Sequence, residues 1–166
     1  MVLGIDLGGT TFTVGLLDHN GQLSEIVETP TQQTDAPDVL LSRIAAVARE
    51  VISCAPEPIS VAGIGVPGPV KHAQGICVYA SNLAGWRNLP VGPILSEKIG
   101  VAVHVLNDAN AAAFGEARFG AGRGAEDVLV MTLGTGIGSG LILGGKLHLG
   151  ANERGAEVGH ITVDIN

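Results

Sequence analysis

Asp6-Leu7-Gly8-Gly9-Thr10-Thr11 sets a carboxylate near the end of an apolar run, then two glycines, then two hydroxyls. Glycines let backbone N–H groups close in on phosphate oxygens, and the threonines add donors. A carboxylate placed there can hold Mg²⁺, usually through water, because Mg²⁺ keeps part of its hydration shell. The same six residues also read as an ordinary hairpin with a surface Asp. A second run, Leu133 to Gly140, alternates Gly134, Gly136 and Gly138 with Thr135 and Ile137. Glycines weaken a strand interior, so close backbone approach to a partner is the expectation. Two such hairpins facing each other would clamp a triphosphate.

The third run is Asn107-Asp108-Ala109-Asn110-Ala111-Ala112-Ala113. Asp108 falls where a buried strand gives way to a helix. Ligands bind outside the carboxyl ends of such strands, and a helix N-terminus stabilises a carboxylate. The competing role for Asp108 or Asn107 is that of a plain N-cap. Ala109, Ala112 and Ala113 are expected to let the helix lie close to a sheet. Two other glycine patterns are decoys. Gly63-Ile64-Gly65-Val66-Pro67-Gly68 matches GxGxxG, but Pro67 and Pro69 forbid the helix that a dinucleotide fingerprint must open. Gly140 to Lys146 nearly spells a P-loop, but Leu147 replaces the Ser/Thr and the run reads as a β-hairpin.

These residues need strands and helices to hold them. Val2–Asp6, Thr11–Asp18 and Gln22–Thr29 read as three strands, with Asn20-Gly21 as a hairpin turn. Pro37–Cys54 reads as a helix capped by Asp35, with Leu40, Ile44, Val47 and Val51 on one face. Ile59–Val66 is a buried strand, and residues 70–90 read as irregular with a short hairpin. Val91–Ile99 is a helix, Val101–Leu106 a strand and Asp108–Phe119 an alanine-rich helix. Strands follow at Val128–Leu133, Ser139–Leu143 and Lys146–Leu149. The order βββαβαβα, then strands again, is that of an α/β protein.

The chain has 166 residues, 46% hydrophobic and 15% charged, which excludes a disordered chain. A net charge of -7, with three lysines among nine basic residues and no basic cluster, disfavours a nucleic-acid partner. No apolar run approaches the ~20 residues of a membrane span, so no membrane partner is expected. With no basic leader and no CxxC from Cys54 and Cys77, the expectation is a cytoplasmic protein with buried free thiols.

Laying residues 2–23 over 128–149 matches Leu7 with Leu133, Gly8 with Gly134 and Leu17 with Leu143 at a single offset. Any two glycine-rich hairpins share some likeness. The sharper reading is a duplication, with a complete domain over 1–121 and the beginning of a second over 122–166. On that reading the second sheet lacks its helices.

DLGGTTFTVG, GVPGPV, SNLAGW, NDANAAAFGE, LGTGIGSG and EVGH occur in that order. Together they resemble the first half of a bacterial sugar kinase of the ROK family (repressors, open reading frames, kinases), across essentially the whole chain. The resemblance implies a duplicated ribonuclease-H-like core of the actin-like ATPase superfamily. It implies ATP-dependent phosphorylation of a hexose or N-acetylhexosamine. Gly8, Gly9, Thr10, Thr11, Gly134, Thr135, Gly136 and Gly138 would line the nucleotide phosphates, with Mg²⁺ near Asp6. Asp108 would be the catalytic base. Asn82, Asn107, Glu157, His160 and the backbone of Gly68 would meet the sugar, in a cleft between domains. His160 would also ligate a structural zinc, whose other ligands in the family lie in a CxCGxxGCxE motif after EVGH. Here the chain ends at Asn166, so residues 1–166 alone are expected to lack both activity and zinc. The resemblance also implies a homodimer of the intact protein. The family's repressors carry an N-terminal winged-helix domain; the first strand here starts at Val2, which favours a kinase over a sugar-sensing regulator.

Overall fold

A computed structural model describes residues 1–134, 136–162 and 164. Their architecture follows from strand alternation. In β1 (Val2–Leu7), Leu3, Ile5 and Leu7 are buried while Gly4 and Asp6 face outward. β2 (Thr11–Leu17) buries Phe12, Val14 and Leu16 on the same side and runs antiparallel to β1. β3 (Leu23–Pro30) pairs antiparallel with β2 as an edge strand. β4 (Val61–Val66) and β8 (Val103–Asn107) extend the sheet in parallel, giving the order β3-β2-β1-β4-β8. Two helices cover the apolar face. They are α1 (Pro37–Ser53), which buries Leu40, Leu41, Ile44, Ala45, Ala48 and Val51, and α2 (Val91–Ile99), which buries Val91, Leu95 and Ile99. Ser96 fastens α2 to the sheet. Its hydroxyl donates to Gly92 O (2.8 Å) and accepts from Val103 N (2.9 Å).

Between β4 and α2 the chain forms a small antiparallel sheet of β5 (Val70–Lys71), β6 (Ile76–Tyr79) and β7 (Arg87–Leu89). The short hairpin expected within residues 70–90 is β5 and β6, and β7 adds a third strand to it; strands of two to four residues are too short to show a period. Asp35 is not the cap of α1. Ala36 takes that place without a side-chain bond, Pro37 starts the helix, and Asp35 instead pairs with Arg43 at 3.0 Å. Cys77 is buried as expected, but Cys54 is exposed as the C-cap of α1.

The described residues form two compact units, Met1–Asp108 and the chain from Ala109 onward. The glycine-rich joint near residue 121 is not where packing divides the chain, because α3 (Asp108–Phe119) lies against the sheet that follows it. That sheet is a meander of β9 (Val128–Leu133), β10 (Ile137–Leu143) and β11 (Lys146–Leu147). Gly138 and Gly140 turn their bare faces toward α3. A Cβ on Gly140 would stand 2.5 Å from Ala113 Cβ and 2.8 Å from Ala109 O. Ala109 and Ala113 are buried in this contact; Ala112, expected to share it, is exposed. The meander's other face leaves Leu129, Met131, Leu133 and Ile137 exposed.

Both decoys are resolved as such. Gly68 is followed by the short β5 and not a helix, and Gly144-Gly145 is the turn between β10 and β11. The two repeat hairpins share a topology but differ in register. Leu7 closes on Phe12 in the first and Leu133 on Ile137 in the second, so the second turn is one residue tighter. Among the described residues, no helix is long and apolar enough to cross a membrane.

Gly140→Ala is expected to cost about 1–3 kcal/mol through overpacking against α3. Gly136→Ala, where a Cβ meets open space, should leave stability unchanged. Urea unfolding of the two variants checks the contrast.

Candidate active site

The parallel strands deliver their residues to one edge. Register sets Asp6 level with Gly65 of β4, and Gly65 level with Leu106 of β8. Asp108 follows two residues later as the first residue of α3. The two carboxylates feel each other: desolvation raises the Asp6 carboxyl above its ordinary 3.8, and the negative charge of Asp108 raises it further.

Asn107 organises this edge. Its Nδ2 donates to Asp108 Oδ1 (2.8 Å) and to Gly68 O (3.3 Å). Gly68 reaches that position with φ +86°, and a Cβ there would run into Tyr79 O. Only glycine satisfies both demands. Three residues singled out by sequence, Gly68, Asn107 and Asp108, are therefore joined by one side-chain amide.

The first hairpin turn lies beside Asn82. Gly8 N donates to Thr11 O (2.9 Å), closing the turn. A Cβ on Gly9 would stand 2.6 Å from Asn82 Nδ2. Gln33, which no motif singled out, ties the parts together: its Nε2 donates to Gly9 O (2.6 Å), and its carbonyl accepts from Ala84 N (2.9 Å). Thr31 N donates to Thr10 O (2.8 Å) in the same strap. Thr10 is exposed and Thr11 half-buried. Trp86 is buried beneath the loop that carries Asn82.

In the second unit, Gly134 N donates to Gly136 O (2.9 Å), and a Cβ on either glycine would meet open space. Gly138 faces Ala109 and Thr132. Thr135 lies outside the described residues. Glu157 and His160 are exposed on a short 3₁₀ turn, 3.9 Å apart between Oε2 and Nε2. The Ser139 hydroxyl donates to Ala156 O and accepts from Val158 N (3.1 Å), the residues on either side of Glu157. The only hint of this in the sequence is a single polar side chain in an otherwise apolar strand. Among the described residues, no three His, Cys, Asp or Glu side chains converge as metal ligands.

The ROK family model matches residues 2–166. The chain belongs to the ROK family. It is 39% identical to a glucokinase of Thermotoga maritima over 165 residues, 99% of this chain and 51% of that protein. It superposes on a ROK family glucokinase from Streptomyces griseus, solved with glucose and AMPPNP, with a TM-score of 0.88 and 37% identity. That match covers 98% of this chain and 51% of the other. A xylose repressor of Bacillus subtilis is 30% identical over 167 residues, 99% of this chain and 43% of the repressor. The chain spans about half the length of the curated relatives it matches. The fold is the mixed α/β, actin-like ATPase fold of ROK kinases, as the six ordered motifs implied.

The raised Asp6 carboxyl has a sign that can be checked. Folding holds the proton more tightly than the unfolded chain does, so the ionised carboxylate opposes folding above its folded-state pKa. That penalty disappears as pH falls below the ordinary 3.8. In metal-free buffer, Asp6→Asn should therefore melt higher than wild type at pH 7, and the gap should close as pH falls toward 4.

Proposed function

We propose that this protein transfers the γ-phosphoryl group of ATP to a hydroxyl of a hexose or N-acetylhexosamine. The observation that carries the reading is the Asn107 bridge, which fixes the Asp108 carboxylate at the strand edge beside Asp6 and Gly68. The ROK glucokinases among its relatives support it.

In this reading the Asp108 carboxylate accepts the proton as the sugar oxygen attacks the γ-phosphorus and the bond to the ADP oxygen breaks. Asn82 and Asn107 meet sugar hydroxyls, and the backbone at Gly68 closes that side. Glu157 and His160 are assigned to the same sugar through the family resemblance. Gly8, Gly9, Thr10 and Thr11 cradle phosphates, as do Gly134, Thr135, Gly136 and Gly138. Positioning and charge stabilisation supply most of the rate in such transfers.

Mg²⁺ suits Asp6, a raised carboxylate with a second carboxylate acting on it; when bound, the ion would neutralise phosphate charge. Zinc does not suit the described residues. His160 has only Glu157 at 3.9 Å, and a structural site needs four ligands. Homodimerisation is part of the same proposal, and light scattering on the intact protein checks it.

The repressor relative supports a second reading, a sugar sensor without turnover. The Asn107 bridge suits the kinase, which needs a held carboxylate to take the hydroxyl proton; in a sensor the same carboxylate would only accept a hydrogen bond from that hydroxyl. Asp108→Asn in the intact protein should keep hexose binding while kcat falls about 10²-fold or more, the scale of a positioned base. Wild-type binding without ATP turnover, by calorimetry and a coupled assay, would select the sensor.

The two hairpins should separate in kinetics. Gly9→Ala crowds the turn assigned to phosphate and also pushes Asn82 aside, so the KM for sugar and for ATP should rise together. Gly136→Val fills open space where a phosphate would lie, so the ATP KM should rise more. A KM for either substrate left unchanged by Gly9→Ala, or equal shifts of both constants in Gly136→Val, would count against the assignment of that hairpin.

A further inference from the structure

Ser139 is one of the few buried polar residues among the described ones, at 8% exposure. Its neighbours Gly138 and Gly140 face α3, so strand alternation sends Ser139 to the opposite face of the meander. There its hydroxyl donates to Ala156 O and accepts from Val158 N at 3.1 Å. Glu157 lies between those two anchors and starts the 3₁₀ turn Val158–His160, with His160 N donating to Glu157 O at 3.1 Å.

Local backbone bonds close this turn, and the Ser139 hydroxyl braces it against β10. Ala156 has φ +64°, in the left-handed region that side chains disfavour. Such a residue persists where its surroundings over-determine it. The surroundings here are the Ser139 hydroxyl, the bond from Gly155 N to Leu149 O at 2.7 Å, and the bond from Val158 N to Ala156 O at 2.9 Å, which shares its donor with Ser139. A hydroxyl is suited to the task because it donates and accepts at once. Alanine does neither.

We infer that Ser139 is a positioning residue for Glu157: by gripping the backbone on both sides, its hydroxyl sets the direction of the carboxylate that receives the sugar. The inference rests on the sugar-kinase reading through Glu157. It also gives β10, a strand of the second nucleotide hairpin, a duty toward the other substrate. Loss of the hydroxyl frees the turn at Glu157 while Gly134 and Gly136 keep their places, so sugar affinity suffers and nucleotide affinity does not.

The test uses the intact protein and Ser139→Ala, Ser139→Thr and wild type. Calorimetry measures glucose, mannose, N-acetylglucosamine and AMP-PNP, and amide exchange by NMR follows Val158. In Ser139→Ala, protection of the Val158 amide should fall. The Kd of the best hexose should rise roughly tenfold, the scale of one hydrogen bond, while that of AMP-PNP stays within about twofold. Ser139→Thr keeps the hydroxyl and should restore both the exchange pattern and the hexose Kd. An unchanged hexose Kd in Ser139→Ala overturns the inference, as does an equal loss for hexose and AMP-PNP. Wild type that binds none of the three sugars overturns the kinase reading, and this inference with it. That outcome is distinct from one in which wild type and Ser139→Ala bind hexose equally well.

Discussion

The side-chain amide of Asn107 is the contact on which the proposed site depends. One Nδ2 donates to the carboxylate of Asp108 and the carbonyl of Gly68, which belong to different segments of the chain. Asp108 is exposed at a helix start, and this bond restrains its carboxylate there. The amide is delivered by β8, the last strand of the five-stranded sheet, and β8 is held in turn by Ser96 at its beginning. The carbonyl of Gly68 is delivered by the turn after β4, whose positive φ no other residue type tolerates beside Tyr79. The requirement thus runs backward from the proposed proton acceptor to a glycine and a strand register.

A similar economy appears in each unit. Each glycine-rich hairpin is fastened to the loop that carries a candidate sugar contact. In the first, Gln33 grips Gly9 by its side chain and Ala84 by its carbonyl, with Asn82 against Gly9. In the second, Ser139 of β10 grips the backbone around Glu157. The chemistry differs, an amide in one and a hydroxyl in the other, and so does the turn, which is one residue tighter in the second hairpin. The common topology fits a duplication, and the different fasteners fit separate refinement of each copy.

Much of this was legible in the residues. Element types follow from apolar spacing and turn residues: α2 and α3 have the bounds expected, and Asp108 starts its helix. The motifs singled out Gly68, Asn107 and Asp108, which one side-chain amide joins, because each stands at or just beyond the end of a strand. Asp35, Cys54 and the third strand within residues 70–90 read differently because partners or helix ends that local spacing does not reveal decided them. Arg43 drew Asp35 away from the helix start, the end of α1 left Cys54 in solvent, and β5, β6 and β7 stabilise one another across intervals too short to show a period. Gln33 and Ser139 left almost no signal, since a single side chain gripping backbone atoms imposes no pattern on its neighbours.

The run from Leu133 to Gly140 shows how one composition can hide two causes. Gly134 and Gly136 border open space, where backbone N–H groups can approach a ligand. Gly138 and Gly140 border Ala109 and Ala113, where any side chain would push α3 off the sheet. Both pairs look alike in sequence, because the absence of a Cβ is the same whether a phosphate or a helix needs the room. The pairs differ in their place along the hairpin. A glycine in the turn lies outside the ladder and borders open space, whereas a glycine within β10 has its backbone committed to the ladder with β9. In this fold the position of a glycine relative to the last ladder pair, Leu133 with Ile137, therefore says more about its role than the density of glycines around it.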